Sequence, residues 1–138
     1  MGKEKRYEAK QGLVIRKDIE MPQGKVGAQL AHASCGALLS LVKFKERKNR
    51  NTWTIADNKE GAVSAWLEGR FAKIVCFVRS EEEIIELYEK AKAAGLPCAL
   101  IKDAGFTVFK GVPTITAVGI GPGFIEDVDK ITKHLRLL

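Results

Sequence analysis

Apolar runs and amphipathic stretches alternate along this chain. Leu13-Val14-Ile15 is a short apolar run between Gln11-Gly12 and Arg16-Lys17-Asp18, which predicts a buried first strand. Met21-Pro22-Gln23-Gly24 then breaks the chain, and from Lys25 to about Phe44 the pattern turns helical, rich in Ala, Leu and Val. Residues 60–68 predict a short helix with Ala62, Val63 and Trp66 on one side, closed by Gly69. Ala72 to Val78 predicts the second strand. Ser80-Glu81-Glu82-Glu83 is a capping box, in which Ser80 can accept from the third helical amide and Glu83 can reach back. The helix it opens carries Ile84, Leu87, Tyr88 and Ala91 at helical spacing and stops at Gly95 and Pro97. Cys98 to Ile101 predicts a third strand ending at Lys102-Asp103, and Ile115 to Ile120 a fourth, broken by Gly121-Pro122-Gly123. A last helix from about Phe124 to His134 carries Phe124, Ile125, Val128, Ile131 and Leu135 as one apolar stripe.

The predicted order is β-α-α-β-α-β-β-α. It implies a three-layer α/β domain: a four-stranded mixed sheet with helices on both faces. Helical crossovers make the first three strands parallel, and the helix-free link between the third and fourth makes that pair antiparallel. At 138 residues the chain suits one core, so residues 1–138 are read as a single domain. Within it, residues 1–10 form a polar N-terminal segment and residues 45–59 a basic inserted loop.

Lys43, Lys45, Arg47, Lys48 and Arg50 crowd together, opposed by Glu46 alone until Asp57, in a chain of net charge +6. Two readings stand for this stretch: a solvated loop or helix end, or contacts to a phosphate backbone. The cysteines at 35, 76 and 98 lie far apart in apolar segments, with no C-x-x-C pair and no paired His spacing. They read as buried hydrophobes in a reducing compartment rather than metal ligands. No apolar stretch approaches the roughly 18 residues of a membrane span, and MGKEKRYEAK lacks the apolar centre of a signal peptide. A cytoplasmic protein is expected.

In a sheet of this kind ligands gather beyond the carboxyl ends of the parallel strands. There the first strand leads through Asp18–Gly24 to Lys25, the third ends at Asp103, and an antiparallel fourth would begin near Thr116. Lys25, Asp103, Thr107 and Thr116 can therefore converge. Lys25, Gln29 and His32, at i, i+4 and i+7, share one helix face that continues to Gly36. Other chemistries fail by inspection. Gly24-Lys25 lacks the earlier glycine of a phosphate loop, because Ile19 stands there, and neither a G-x-S-x-G elbow nor H-E-x-x-H occurs.

Three longer strings are specific: QGLVIRKDIEMPQGKVGAQLAHAS over residues 11–34, GLPCALIKDAGFT over 95–107, and TAVGIGPGFIEDVDKITKHLRLL over 116–138. Together they closely resemble the archaeal and eukaryotic, or second, type of peptidyl-tRNA hydrolase. The resemblance implies a compact α/β domain with a four-stranded mixed sheet, a homodimer, and cleavage of the ester joining a peptide to tRNA, with no metal or organic cofactor. It places the family's functional positions on Lys25, Asp103, Thr107 and Thr116, with Gln29 and His32 in the same motif. After Asp-Ala-Gly the family shows a basic residue, Thr and Gln, where this chain has Phe106, Thr107 and Val108. That departure motivates a second reading, a catalytically impaired tRNA- or RNA-binding module. The basic segment over residues 43–59 motivates a third, a protein adaptor.

An acyl ester is activated, so its hydrolysis needs a placed water, a proton acceptor and positive charge for the developing oxyanion. Asp103 is expected to accept the proton or orient the water, Lys25 to stabilise the negative charge, and Thr107 and Thr116 to hold the water or the carbonyl. Lys43, Lys45, Arg47, Lys48 and Arg50 are candidate contacts to the tRNA.

Overall fold

Strand β1 (Ala9–Arg16) is apolar on both faces because both are covered. The computed structural model describes residues 8–106 and 109–138. After β1 come α1 (Gln23–Leu39), β2 (Val42–Glu46), β3 (Asn51–Ile55), α2 (Ala62–Glu68), β4 (Ala72–Val78) and α3 (Glu81–Ala93). The chain continues through β5 (Cys98–Asp103), β6 (Thr114–Phe124), α4 (Ile125–Thr132) and β7 (Arg136–Leu137).

The main sheet runs β5-β6-β1-β4-β7. β1 and β4 are parallel, β6 is antiparallel to both β1 and β5, and β7 is antiparallel to β4. β1, β4 and β5 therefore share one direction, as the crossovers require. Val14 faces a core built with Ile84, Leu87 and Ala91 of α3 and Val128 and Ile131 of α4. Leu13 and Ile15 face the other layer, where Ala33, Val26 and Leu30 of α1 pack. A fully buried Ile84 contributes about 1.5–3 kcal/mol of apolar transfer. The capping box forms, with the Glu83 amide donating to Ser80 Oγ at 3.2 Å and Glu83 Oε2 accepting from the Arg79 amide at 3.0 Å.

The structure corrects several expectations, the burial of the cysteines among them: Cys76 is buried, but Cys35 is exposed and Cys98 half-buried. The sheet has five strands, not four, because Arg136–Leu137 pair with Phe77 and Cys76 along the outer side of β4. A two-residue strand leaves no periodicity to read. The first helix ends at Leu39 rather than near Phe44, with Ser40 at its C-cap donating its hydroxyl to the Ala37 carbonyl at 2.6 Å. The basic segment is a β-hairpin rather than a loop, pairing Val42 with Ile55 and Phe44 with Trp53. The order is thus β-α-β-β-α-β-α-β-β-α-β. Finally, β6 runs on through Gly121-Pro122-Gly123 to Phe124. A Cβ on Gly121 would stand 2.6 Å from the Lys10 carbonyl oxygen, so glycine here lets β6 stay against β1.

Close approach also brings α1 down onto the sheet. A Cβ on Gly119 would lie 2.1 Å from the Ala33 carbonyl oxygen, and one on Gly36 2.9 Å from Ala99 Cβ. Gly119→Ala must therefore push α1 off β6. It is expected to cost about 1–3 kcal/mol, as overpacking does, lowering the melting temperature by several degrees. An unchanged melting temperature would mean the helix yields at no cost.

Candidate active site

Lys25 stands in the first turn of α1, where the helix dipole disfavours a cation, and that turn holds no acidic residue. Its compensation comes from another element. Lys25 Nζ lies 2.7 Å from Asp103 Oδ1, at the end of β5. Both side chains are mostly enclosed, with 14% and 13% of their surfaces exposed. One turn along the helix, Gln29 Nε2 donates to the same Oδ1 at 3.3 Å, and the Gly105 amide donates to Oδ2 at 2.8 Å. Gly105 adopts φ +87°, and a Cβ there would meet the Val112 backbone at 2.6 Å, so the turn after β5 closes tightly under the carboxylate. Three N–H donors favour the ionised form. The Lys25 ammonium first, and then the Gly105 amide, hold the Asp103 carboxyl below the usual carboxylate range.

Thr116 is fully buried in β6 and donates its hydroxyl to Gln29 Oε1. The direction follows from chemistry. A carboxylate can only accept, so Gln29 must turn its amide nitrogen to Asp103 and its oxygen to Thr116. Gln29 is itself 1% exposed, which fixes the amide. The arrangement is a chain: Thr116 orients Gln29, Gln29 and Lys25 hold Asp103, and Gly105 closes the far oxygen.

The structure thus brings together Lys25, Gln29, Asp103 and Thr116. His32 lies on the same helix but is exposed, and no hydrogen bond joins it to the cluster among the described residues. Thr107 and Val108 lie outside the described residues. Lys43, Lys45, Arg47, Lys48 and Arg50 are all exposed on the β2–β3 hairpin, beyond the opposite end of α1 from Lys25. Trp66 is buried, with its indole N–H on the Ala72 carbonyl at 2.9 Å, whereas Trp53 is 64% exposed.

Two contributors carried little signal in the sequence. One is the Gly105 amide. Asp103 forms a turn with its own chain two residues on, as Asp favours, and the same carboxylate also meets Lys25. Turn role and site role coincide. The other is Arg16, whose guanidinium holds Asp18 at 2.6 and 3.0 Å and the Ile115 carbonyl at 3.0 Å. It braces the start of β6 beside Thr116, and the hydrogen bond to Asp18 raises the affinity of Arg16 for its proton. Lys25 also sits 5.6 Å from the centre of the Phe109 ring, close enough for a cation–π contact. Among the described residues no group of three or more His, Cys, Asp or Glu side chains could hold a metal ion.

The profile of the family described as Peptidyl-tRNA hydrolase PTH2 matches residues 9–138. The chain belongs to this family. A peptidyl-tRNA hydrolase of Methanocaldococcus jannaschii is 44% identical over 126 residues, covering 91% of this chain and 96% of that protein. One of Methanococcus maripaludis is 40% identical over 128 residues, covering 93% and 97%. A solved Agrobacterium protein of unknown function shares the fold alone, with a TM-score of 0.56 at 11% identity, over 95% of this chain and 98% of its own. As a PTH2 member the chain is a hydrolase of peptidyl-tRNA, and the catalytic reading prevails over the binding-module one. No helix among the described residues is long and apolar enough to cross a membrane.

Proposed function

We propose that the protein releases tRNA from stalled peptides in the cytoplasm, using the Lys25–Asp103 pair as its chemical centre. The 2.7 Å contact between an ammonium on α1 and a carboxylate on β5 carries this reading. A carboxylate has about four acceptor positions, and three are used by Lys25, Gln29 and Gly105. The fourth suits a water. Asp103 accepts one water O–H and aims the oxygen at the ester carbonyl, while the Lys25 charge meets the oxyanion that develops as water adds. The bond to the ribose oxygen then breaks, and that oxygen takes the proton the water has given up. By its position in the family motif, Thr107 is assigned a hydroxyl that holds the water or the carbonyl. A homodimer completes the proposal. Sedimentation velocity showing only a monomer would remove that part.

The deciding assay offers purified protein an N-acetylated aminoacyl-tRNA labelled in its acyl group. In metal-chelated buffer, free tRNA and free acyl-amino acid in equal amounts are the expected outcome. Binding without release would restore the impaired-module reading.

Thr116 acts on Asp103 through Gln29 and is a positioning residue. Thr116→Val keeps the shape but leaves Gln29 Oε1 without its donor, so the amide can turn its oxygen toward Asp103. Turnover is expected to fall about tenfold, the size of one neutral hydrogen bond at about 1.4 kcal/mol, with KM little changed. Thr116→Ser should recover most of it. Equal losses in both variants would show that packing, not the hydroxyl, matters.

A further inference from the structure

The β2–β3 hairpin takes no part in the chemistry at Asp103. Its pairing register sorts its side chains by face. Lys43 lies opposite Thr54 and Lys45 opposite Thr52, while Phe44 lies opposite Trp53 and Val42 opposite Ile55. Neighbours on a strand point to opposite faces, so one face carries lysines and hydroxyls and the other carries aromatic and aliphatic groups. Arg47, Lys48 and Arg50 extend the cationic character around the connecting turn. The five cations face a single carboxylate, Glu46, so most of the net charge of +6 is concentrated on this ribbon. All five are exposed, and no ion pair engages them among the described residues. Arg47 donates its Nε–H to Thr52 Oγ1 at 3.5 Å across the ribbon.

Lysine, arginine and threonine side chains on one surface are the donors that proteins place on nucleic-acid phosphates. A polyanion is the partner such a charge selects. The location then says which part of it. Lys25 stands in the first turn of α1, and the hairpin begins three residues beyond the last, at Val42. At 1.5 Å per residue, the helix separates Lys25 from Leu39 by about 20 Å. A ligand contacting both places must be at least that long. The ester and its terminal ribose are much shorter, so the hairpin meets the body of the tRNA and not the reacting end.

We propose that the β2–β3 hairpin is an arm for the tRNA backbone, with Lys43, Lys45, Arg47, Lys48, Arg50, Thr52 and Thr54 seating phosphates about 20 Å from the ester. This rests on the hydrolase reading and supplies its substrate contact. Phosphate contacts fix the register of a nucleic acid without reading its sequence, so the arm serves many tRNAs alike.

The test neutralises the five cations together (Lys43→Gln, Lys45→Gln, Arg47→Gln, Lys48→Gln and Arg50→Gln) and compares them with Lys92→Gln, Lys130→Gln and Lys133→Gln in the opposite helical layer. Because all eight positions are exposed, circular dichroism should show the native fold in both. Two readouts are taken across a salt series: equilibrium binding of uncharged tRNA, and hydrolysis of a full-length N-acetylated aminoacyl-tRNA beside the same acyl group on a terminal adenosine. The hairpin variant should bind uncharged tRNA at least tenfold more weakly. Its plot of log affinity against log salt should be shallower by about 2 or more, since each lost phosphate contact removes about 0.7–0.9. KM for the full-length substrate should rise by a similar factor with kcat within about threefold, and the adenosine ester should show no matching rise. A change in the control variant in proportion to its three lost charges against the hairpin's five would assign the effect to net charge and overturn the arm. Unchanged tRNA affinity, or gain of binding to vesicles of anionic lipid in the wild type alone with tRNA affinity intact, would overturn it too. Hairpin-dependent tRNA binding by a wild type that hydrolyses neither ester would leave the arm standing and remove the hydrolase mechanism instead.

Discussion

Asp103→Asn is expected to lower kcat by about 10²-fold or more, within the range of a lost acid–base group, in a protein that still folds. The reason is the number of donors at this one carboxylate. Lys25 Nζ, Gln29 Nε2 and the Gly105 amide all point N–H groups at it. Asparagine keeps one oxygen but turns an NH2 toward donors, so at least one N–H loses its partner. The new side chain also lacks the charge that would aim a water in the proposed mechanism. Turnover within a few-fold of wild type would remove Asp103 from the mechanism. Stability gives a separate measure with a definite sign. Asp103 has its folded pKa held below the ordinary range, first by the Lys25 hydrogen bond and then by the Gly105 amide. Its contribution is therefore complete above its unfolded pKa of about 3.9 and is lost as pH falls through the lower folded value. The gap between the denaturation midpoints of wild type and Asp103→Asn should stay level from neutral pH to about pH 5 and close below about pH 4. A gap that opens on acidification would mean that asparagine relieves strain instead.

The sequence makes much of this site legible because its parts are also the strongest marks along the chain. Asp103 ends a strand at an Asp-Ala-Gly turn, Lys25 opens a helix, and the helical spacing puts Gln29 beside it. A cation in the first turn of a helix breaks a local rule, and such a break marks a place where another element compensates. Direction of hydrogen bonding was not legible. Thr116 reads equally well as a strand former, and only its burial against Gln29 Oε1 makes it the orienter of an amide. The hairpin is hidden in the sequence for a different reason. Val42, Phe44, Trp53 and Ile55 do alternate with polar residues, but the dense positive charge between them resembles a solvated loop. Strand β7 had no pattern to find, since two residues cannot show a period.

Lys25 separates two roles that its charge alone cannot distinguish: meeting the oxyanion, or holding a phosphate of the bound tRNA. The first acts only as negative charge builds on the carbonyl oxygen, and the second acts throughout. Lys25→Ala should lower kcat by about 10²–10³, as the loss of one oxyanion donor does, with KM rising less than tenfold. The reverse pattern, kcat near wild type and KM raised, would assign Lys25 to ground-state binding of phosphate. Lys25→Arg refines the choice. Arginine restores the positive charge, but its planar fork is broader than an ammonium and does not fit the single-point 2.7 Å contact to Asp103 Oδ1 without moving the first turn of α1. Phosphate binding would tolerate that change well, because arginine pairs with phosphate in two-point fashion. A developing oxyanion at a fixed position would not. Recovery of KM without recovery of kcat in Lys25→Arg therefore supports the oxyanion role. It also ties that role to the geometry Asp103 imposes, since the carboxylate that holds the ammonium in a dipole-disfavoured helical turn is the same one that would aim the water in the proposed mechanism.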